Sequence, residues 1–347
     1  MFDRYRPIFF LLCILLAACS GSSDGPTSPN PPPVDNIPPV DNTPPTDNTP
    51  PAETTPPVDN TPPAGDAPSA ATAVELTLVF SGRQGYRDLL FTPSDSPLPD
   101  ELFVISFRGA EAIWVRNLDT DSPSGSPIQN SLFGAIAAAI DASGVFYFAC
   151  FTPVMGSRIG VITVRTLESQ TIDFQYNGVS GPSGVALDAT GRLFVANTNN
   201  GTLSRIDFGD GATPDGHLVD QLAQNLNFGS LNEQLPTHLT VDPEGRLFFC
   251  EPAASQIRLW SEDNGLQIFA QGLAQPVGIA RRANGNLLIT NHGDGTIVEF
   301  NLDAQIVQRR DTGLGGDSLY GIAVRQDGGV YIVADESSGG MVYSVDM

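Results

Sequence analysis

His238, Glu251, Asn197, Asn291, His292 and Asp335 are the residues through which this chain could do chemistry, because they stand at matching points of an internal repeat. Where other copies of the repeat carry Gly184, Gly278 and Gly321, one copy carries His238, a large polar side chain. Asn197, Glu251, Asn291 and Asp335 fall where the second apolar segment of a copy ends, and His292 adjoins Asn291. Oxygen donors from several copies plus an imidazole could hold calcium or another divalent cation, with His238, Glu251 and Asn197 as candidate ligands, or cradle a polar ligand. The same side chains at strand ends also hydrogen-bond the turn that follows, and that structural role stands beside the chemical one. No catalytic nucleophile is marked. Ser143 and Ser157 lie in no Gly-x-Ser-x-Gly elbow, there is no Cys-x-x-Cys-His haem site, and Asp207-Phe208-Gly209-Asp210-Gly211 lacks the later ligands of a calcium loop.

The elements that position these residues follow from the repeat. Its clearest copy reads Gly181 to Asp188, Gly191 to Asn197 and Gly201 to Asp207, three short apolar phrases bounded by Gly, Asp or Asn. Further copies begin at Leu235, Gln275 and Tyr320, and weaker ones run from Arg87 to Val115 and from Gly134 to Thr163. Each phrase reads as a buried strand with tight turns, and fourth strands are expected at 171–176, 218–222, 266–270 and 305–309. Spacings of about 40 to 54 residues fit four-stranded blades. We therefore expect an all-β, six-bladed β-propeller over residues 74–347.

The last copy lacks an outer strand, and an open ring would leave two unpaired sheet edges. Val74 to Phe80, an orphan strand before the first copy, is expected to close the ring antiparallel to Met341–Val345. Cys150 and Cys250 fall in blades two and four, too far apart to bridge, so two buried thiols without a disulfide are expected. The long stretch 209–235, with Asp210, Asp215 and His217, is expected to form a loop over one face.

The phrase Pro-x-Gly-Ile-Ala-x-Asp followed by Gly-x-Leu-x-Val-Ala-Asp/Asn resembles the six-bladed NHL-repeat and gluconolactonase-like propeller superfamily, and the resemblance covers residues 74–347. That scaffold hosts hydrolases, lyases, electron-transfer proteins and binding modules. Gluconolactonase-like members hold a catalytic divalent metal with a glutamate near the domain start, an asparagine in a Pro-Asn-Gly phrase and a later aspartate. This chain reads Gly85-Tyr86-Arg87-Asp88 at the first place and Pro182-Ser183-Gly184 or Pro236-Thr237-His238 at the second. Streptogramin-lyase-like members use a histidine with a metal-binding glutamate, for which His238 and Glu251 are a loose analogue.

Ahead of the propeller lie two other segments. Arg4, Arg6, an apolar run from Ile8 to Leu16 and a small-residue end make residues 1–18 a secretory signal, its core too short to span a membrane. Leu16-Ala17-Ala18-Cys19 resembles the bacterial lipobox, which implies a lipoprotein with Cys19 acylated by chains such as palmitate and held stably in the membrane. Ser20 after Cys19 favours the outer membrane of a Gram-negative envelope, facing either the periplasm or the cell surface. Residues 19–73 repeat Pro-Pro-Val-Asp-Asn-Thr and are expected to be a disordered, extended linker of polyproline II character.

The 39 acidic and 17 basic side chains give a net charge of −22, and every basic residue is arginine. That excess opposes nucleic acid as a partner. The expected partners are the membrane, through the lipid anchor, and an envelope protein, peptide or glycan bound by a monomeric domain. The leading functional expectation is a non-enzymatic binding module. The alternative is a metal-dependent hydrolase or lyase of the gluconolactonase-like or streptogramin-lyase-like class.

Overall fold

The recurring Asp-x-x-Gly-Arg phrase encodes the hairpin that opens two of the repeats. In the computed structural model, Asp188 Oδ1 accepts the backbone N–H groups of Thr190 and Arg192 at 2.9 and 3.0 Å, and Arg192 Nε donates to Asp188 Oδ2 at 2.7 Å. Gly191 takes φ +82°, a conformation that side-chain-bearing residues rarely adopt. Asp242 and Arg246 repeat the arrangement, with Gly245 at φ +79°.

The structure describes residues 70–82, 85–107, 111–116, 118–120, 123–129, 134–151, 158–163, 172–174, 179–208, 218–229 and 235–347. After β1 (Thr72–Ala73) and β2 (Leu76–Gly82), the first sheet holds β3 (Tyr86–Phe91), β4 (Leu102–Ser106), β5 (Glu111–Arg116) and β6 (Ser124–Gln129). The second holds β7 (Ala135–Ile140), β8 (Val145–Cys150), β9 (Arg158–Thr163) and β10 (Ile172–Phe174). In the third are β11 (Pro182–Leu187), β12 (Leu193–Asn197), β13 (Thr202–Asp207) and β14 (Leu218–Ala223). The fourth comprises β15 (Leu239–Val241), β16 (Leu247–Glu251), β17 (Gln256–Ser261) and β18 (Gly265–Gln271). The fifth is β19 (Pro276–Arg281), β20 (Leu287–Asn291), β21 (Thr296–Phe300) and β22 (Ile306–Asp311), and the sixth is β23 (Leu319–Val324), β24 (Val330–Glu336) and β25 (Gly339–Val345) completed by β2. The chain is an all-β propeller. Five sheets have the four strands expected, but the fifth is widened to five because β1 pairs parallel to β22, Thr72 opposite Arg310.

The first strands of the sheets lie side by side in the order β3, β7, β11, β15, β19, β23 and back to β3. They enclose a central channel. Second strands are packed between neighbouring sheets, so β4, β12, β16 and β20 are buried at every position and read as near-continuous apolar runs. Phe103, Phe146, Phe148, Phe194, Phe248 and Phe249 are all but sealed from solvent there. Each contributes about 1.5–3 kcal/mol by leaving water. Cys150 and Cys250 are buried and not joined by a disulfide, and burial pushes the Cys250 thiol well up.

Closure is made by the amino-terminal strand. β2 runs antiparallel to β25, with Leu76 opposite Val345, Leu78 opposite Tyr343 and Phe80 opposite Val342. It begins two residues later than expected, Val74 donating its N–H to the Asp311 carbonyl of the neighbouring sheet instead, and continues to Gly82 past a bulge between Leu78 and Phe80. The signal segment, Cys19 and the linker up to residue 69 lie outside the described residues, as do Asp210, Asp215 and His217. Among the described residues no helix is long and apolar enough to cross a membrane.

Removing residues 70–82 strips β25 of its partner, a loss of several hydrogen bonds at about 1 kcal/mol each together with side-chain packing. A chain beginning at residue 65 should melt like the full chain, whereas one beginning at residue 84 should melt at a clearly lower temperature. Equal thermal midpoints for the two would contradict closure by β2.

Candidate functional site: an acid and an imidazole across the channel

Strand register shows which side chains share a level of the channel. A bulge interrupts the start of most first strands, after which Asp88 faces Ile105, Ala137 faces Ala149, Gly184 faces Ala196 and Gly278 faces Thr290. His238 occupies the same place ahead of β15: its carbonyl accepts the Cys250 N–H at 3.1 Å, one step before Leu239 pairs with Phe249. Asp88 and His238 are therefore equivalent positions three sheets apart, which in this ring lie across the channel from each other. Small residues at the other positions leave room for both.

His238 reaches over to the far side. Its Cε1 and the Asp88 Cα would each lie 3.0 Å from a methyl group added to Gly321, so the ring packs tightly against that glycine. His238 Nε2 stands 3.4 Å from Asp88 Oδ1, close but without the alignment of a hydrogen bond, and is left with no hydrogen-bond partner. Asp88 is held by backbone donors. Leu89 N–H donates to Oδ1 at 2.7 Å and Ala138 N–H, from the next sheet, to Oδ2 at 2.8 Å. Both residues are 6% exposed. Desolvation raises the Asp88 pKa, opposed by the charge of His238 and by the two backbone N–H groups. It lowers the His238 pKa, opposed by Asp88. Burial thus pushes both groups toward their uncharged forms.

This pair bounds one end of a channel cavity of about 250 Å³. Its walls are the first strands from the level of Asp88 and His238 down to Phe91, Arg281 and Val324, with Leu89, Val185, Leu239, Ile279 and Ile322 between. Each first strand ends its sheet, so its second row of backbone N–H and C=O groups faces inward.

The residues singled out from sequence are brought to the same face of the ring but not into one cluster. Asn197 Oδ1 accepts the Ser180 N–H at 3.0 Å while its Nδ2 donates to Thr202 and Ser204. Glu251 accepts from Asn227 N–H at 2.5 Å and Gln256 Nε2 at 2.6 Å, with Arg258 at 3.5 Å. Asp335 takes the Gly85 N–H at 2.9 Å and the Arg87 guanidinium at 3.0 Å, tying the last sheet to the first. In each case a strand-end acceptor fixes the segment leading into a first strand. Asn291 donates to Thr296 at 3.0 Å. His292 Nδ1 lies 2.8 Å from the Leu319 carbonyl, which can only accept, so that nitrogen carries the proton. Among the described residues no three or more His, Cys, Asp or Glu side chains are gathered as a metal would require. The sequence reading noted Asp88 only where a glutamate was absent. Its equivalence to Gly184 follows from the shared bulge, at Arg87 in one strand and at Ser183 in the other.

Because His238 is neutral in the folded state and has a lowered pKa, the unfolded chain binds more protons below the ordinary histidine value of about 6.5. Stability should therefore fall as pH drops from about 6.5 toward the folded-state value. His238→Gln should lose less of its thermal midpoint than the parent across that window. An identical pH profile for the two would contradict a buried, neutral His238.

No sequence-family model matches the chain, and no curated protein matches it. Solved structures do match in fold. A gluconolactonase from Xanthomonas campestris superposes with a TM-score of 0.60 at 12% identity, over 78% of this chain and 89% of its own. The streptogramin B lyase structure gives 0.55 at 11% identity, over 79% and 97%. Regucalcin from Agrobacterium tumefaciens, described as a calcium-binding protein, gives 0.60 at 10% identity, over 80% and 96%. At these identities the similarity establishes that the chain shares the propeller fold of gluconolactonase-like and streptogramin-lyase-like proteins.

Proposed function

We propose that this chain is an outer-membrane lipoprotein, anchored through Cys19, whose six-bladed propeller binds a protein, peptide or glycan ligand without turning it over. The observation that supports this most is the arrangement of the candidate metal donors. Asn197 and Glu251 use their oxygens on the backbone N–H groups of Ser180 and Asn227, while His238 turns away across the channel to Asp88. The residues named for calcium or another divalent cation do not converge, so this donor set does not fit such an ion. What the channel offers instead is a shaped cavity with an acid and an imidazole at one end, suited to holding a polar group.

The second reading is a metal-dependent hydrolase or lyase. It draws support from the names of the fold neighbours and from the buried Asp88–His238 couple, since an acid and an imidazole with opposed pKa shifts are what proton transfer uses.

Elemental analysis of the protein purified in calcium-, magnesium- and zinc-containing buffer separates the two. The binding reading expects no stoichiometric divalent ion. A one-to-one ion that disappears in His238→Ala or Glu251→Ala would replace it with the enzymatic reading.

A further inference from the structure

The cavity is closed at one end and open at the other. At the level of Asp88 and His238, Ala137, Gly184, Gly278 and Gly321 are buried as well. So are the residues just ahead of that level, Arg87, Ile136, Ser183, Thr237, Val277 and Tyr320, none of which lines the cavity. At the far end every first strand finishes on a half-buried residue, Phe91, Ile140, Leu187, Val241, Arg281 or Val324. Phe91, Arg281 and Val324 wall the cavity there. The channel is therefore blind toward the face that carries Asn197, Glu251 and Asp335. Its mouth lies on the opposite face, among the turns that join first strands to second strands.

Backbone groups line the interior. The N–H groups of Thr92, Asp141, Asp188, Asp242, Arg282 and Arg325 donate across the hairpin to the arriving second strand. Neighbouring residues of a strand present their backbone to opposite edges, so the residues one and three places earlier turn their N–H and C=O groups to the channel. Asp88 already uses two of these donors, the N–H groups of Leu89 and Ala138. The same level on the other four strands is made by Val185, Leu239, Ile279 and Ile322, each presenting one donor and one acceptor. Formal charge is directed away from this interior. Arg281 Nη2 lies 3.8 Å from where a Cβ on Gly285 would stand, in the turn outside the channel, and burial pushes Asp88 and His238 toward their uncharged forms. A charged group entering here would lose its water and meet no opposite charge, whereas an uncharged group with both a donor and an acceptor matches the wall.

We propose that a peptide or protein ligand approaches the face at the ends of the first strands and inserts one glutamine side chain into the channel, its amide against the backbone groups of Val185, Leu239, Ile279 and Ile322. The cavity of about 250 Å³ is smaller than the roughly 300–1,000 Å³ of sites that enclose a whole small molecule, so it suits one group of a larger ligand. The mouth lies two strand steps from that level, about 7 Å at roughly 3.3 Å per residue. A glutamine amide, four bonds from its Cα, spans this together with its hydrogen bond, and asparagine falls one methylene short. The glutamine methylenes then lie against the apolar rim of Phe91, Leu187, Val241 and Val324. The inference deepens the ligand-binding reading and rests on it.

The test uses acetyl-Ala-Gln-Ala-amide and the same capped peptide with Glu, Lys or Leu in place of Gln, titrated calorimetrically into the full chain. The Gln peptide should bind saturably. Glu and Lys should each weaken it by about tenfold or more, and Leu by about fivefold, because a charge or a missing donor and acceptor leaves the wall unmatched. Val241→Trp and Val324→Trp, at the mouth, should each abolish binding. Ser180→Trp, on the blind face, should keep the parent's affinity, all three variants retaining the parent's circular dichroism spectrum. Failure of the Gln peptide to bind at about 10 mM, a Glu peptide that binds equally well, or binding lost in Ser180→Trp and kept in the two mouth variants would overturn the proposal. If a glycan or a protein bound elsewhere on the propeller instead, this inference would fail while the binding reading stood. A stoichiometric metal ion would defeat that reading whatever the peptides did.

Discussion

The pairing of β2 with β25 is the constraint on which the channel depends. Residues from the two ends of the propeller share one sheet, so the first and last repeats cannot separate without breaking backbone hydrogen bonds. Only in a closed ring do β3 and β23 become neighbours, and only then do Asp88 from the first sheet and His238 from the fourth face one another. Asp335 reinforces the seam from inside by taking both Gly85 N–H and Arg87, whose guanidinium also lies 4.1 Å over the Tyr320 ring. Arg325 does so from the other end through Asp100 and Asp119. Closure and site are therefore one problem.

Within the ring, the decisive choice is where bulk is allowed. Gly184 and Gly278 are held to glycine by the close approach of the next sheet, a methyl group falling 1.6 Å from the Thr237 carbonyl oxygen at the first and 2.7 Å from that of Tyr320 at the second, and Gly321 packs tightly against Asp88 and His238. Three positions of that level carry side chains: Ala137 has a methyl group, and Asp88 and His238 have ionisable groups. Burial of the ionisable pair is costly in isolation, which is why Asp88 is bound by two backbone N–H groups and faces an imidazole rather than an apolar wall. At the level of Arg281 the other five first-strand positions are apolar, unlike the level of Asp88 and His238.

Much of the fold was legible because a propeller repeats. Glycine-bounded apolar phrases fix strands and turns locally, and the count of outer strands pointed to β2 as the closing strand. What escaped notice lacks a local signature. β1 is a two-residue parallel pairing with no side-chain pattern behind it. Asp88 was hidden because the first repeat has no proline to mark its start: Tyr86 stands where Pro182 and Pro276 stand in other repeats. His238 was recognised by type alone, as one large polar side chain among glycines. Its partner was not, since sequence neighbours such as Glu251 say nothing of what stands across a channel. Asn197, Glu251 and Asp335 were found in place, but their oxygens answer backbone N–H groups of incoming segments, a demand that is invisible until the chain is folded.

The central claim is that His238 is buried against Asp88 across the channel. Nitrogen-15 NMR of the imidazoles tests it directly, because the chain has only three histidines and His238→Gln assigns the resonance. The His238 pKa should lie below the ordinary histidine value of about 6.5, since burial lowers it more than Asp88 raises it. In Asp88→Asn the titration should move lower still, because the opposing carboxylate charge is gone. A His238 that titrates near 6.5 and does not respond to Asp88→Asn would contradict the account.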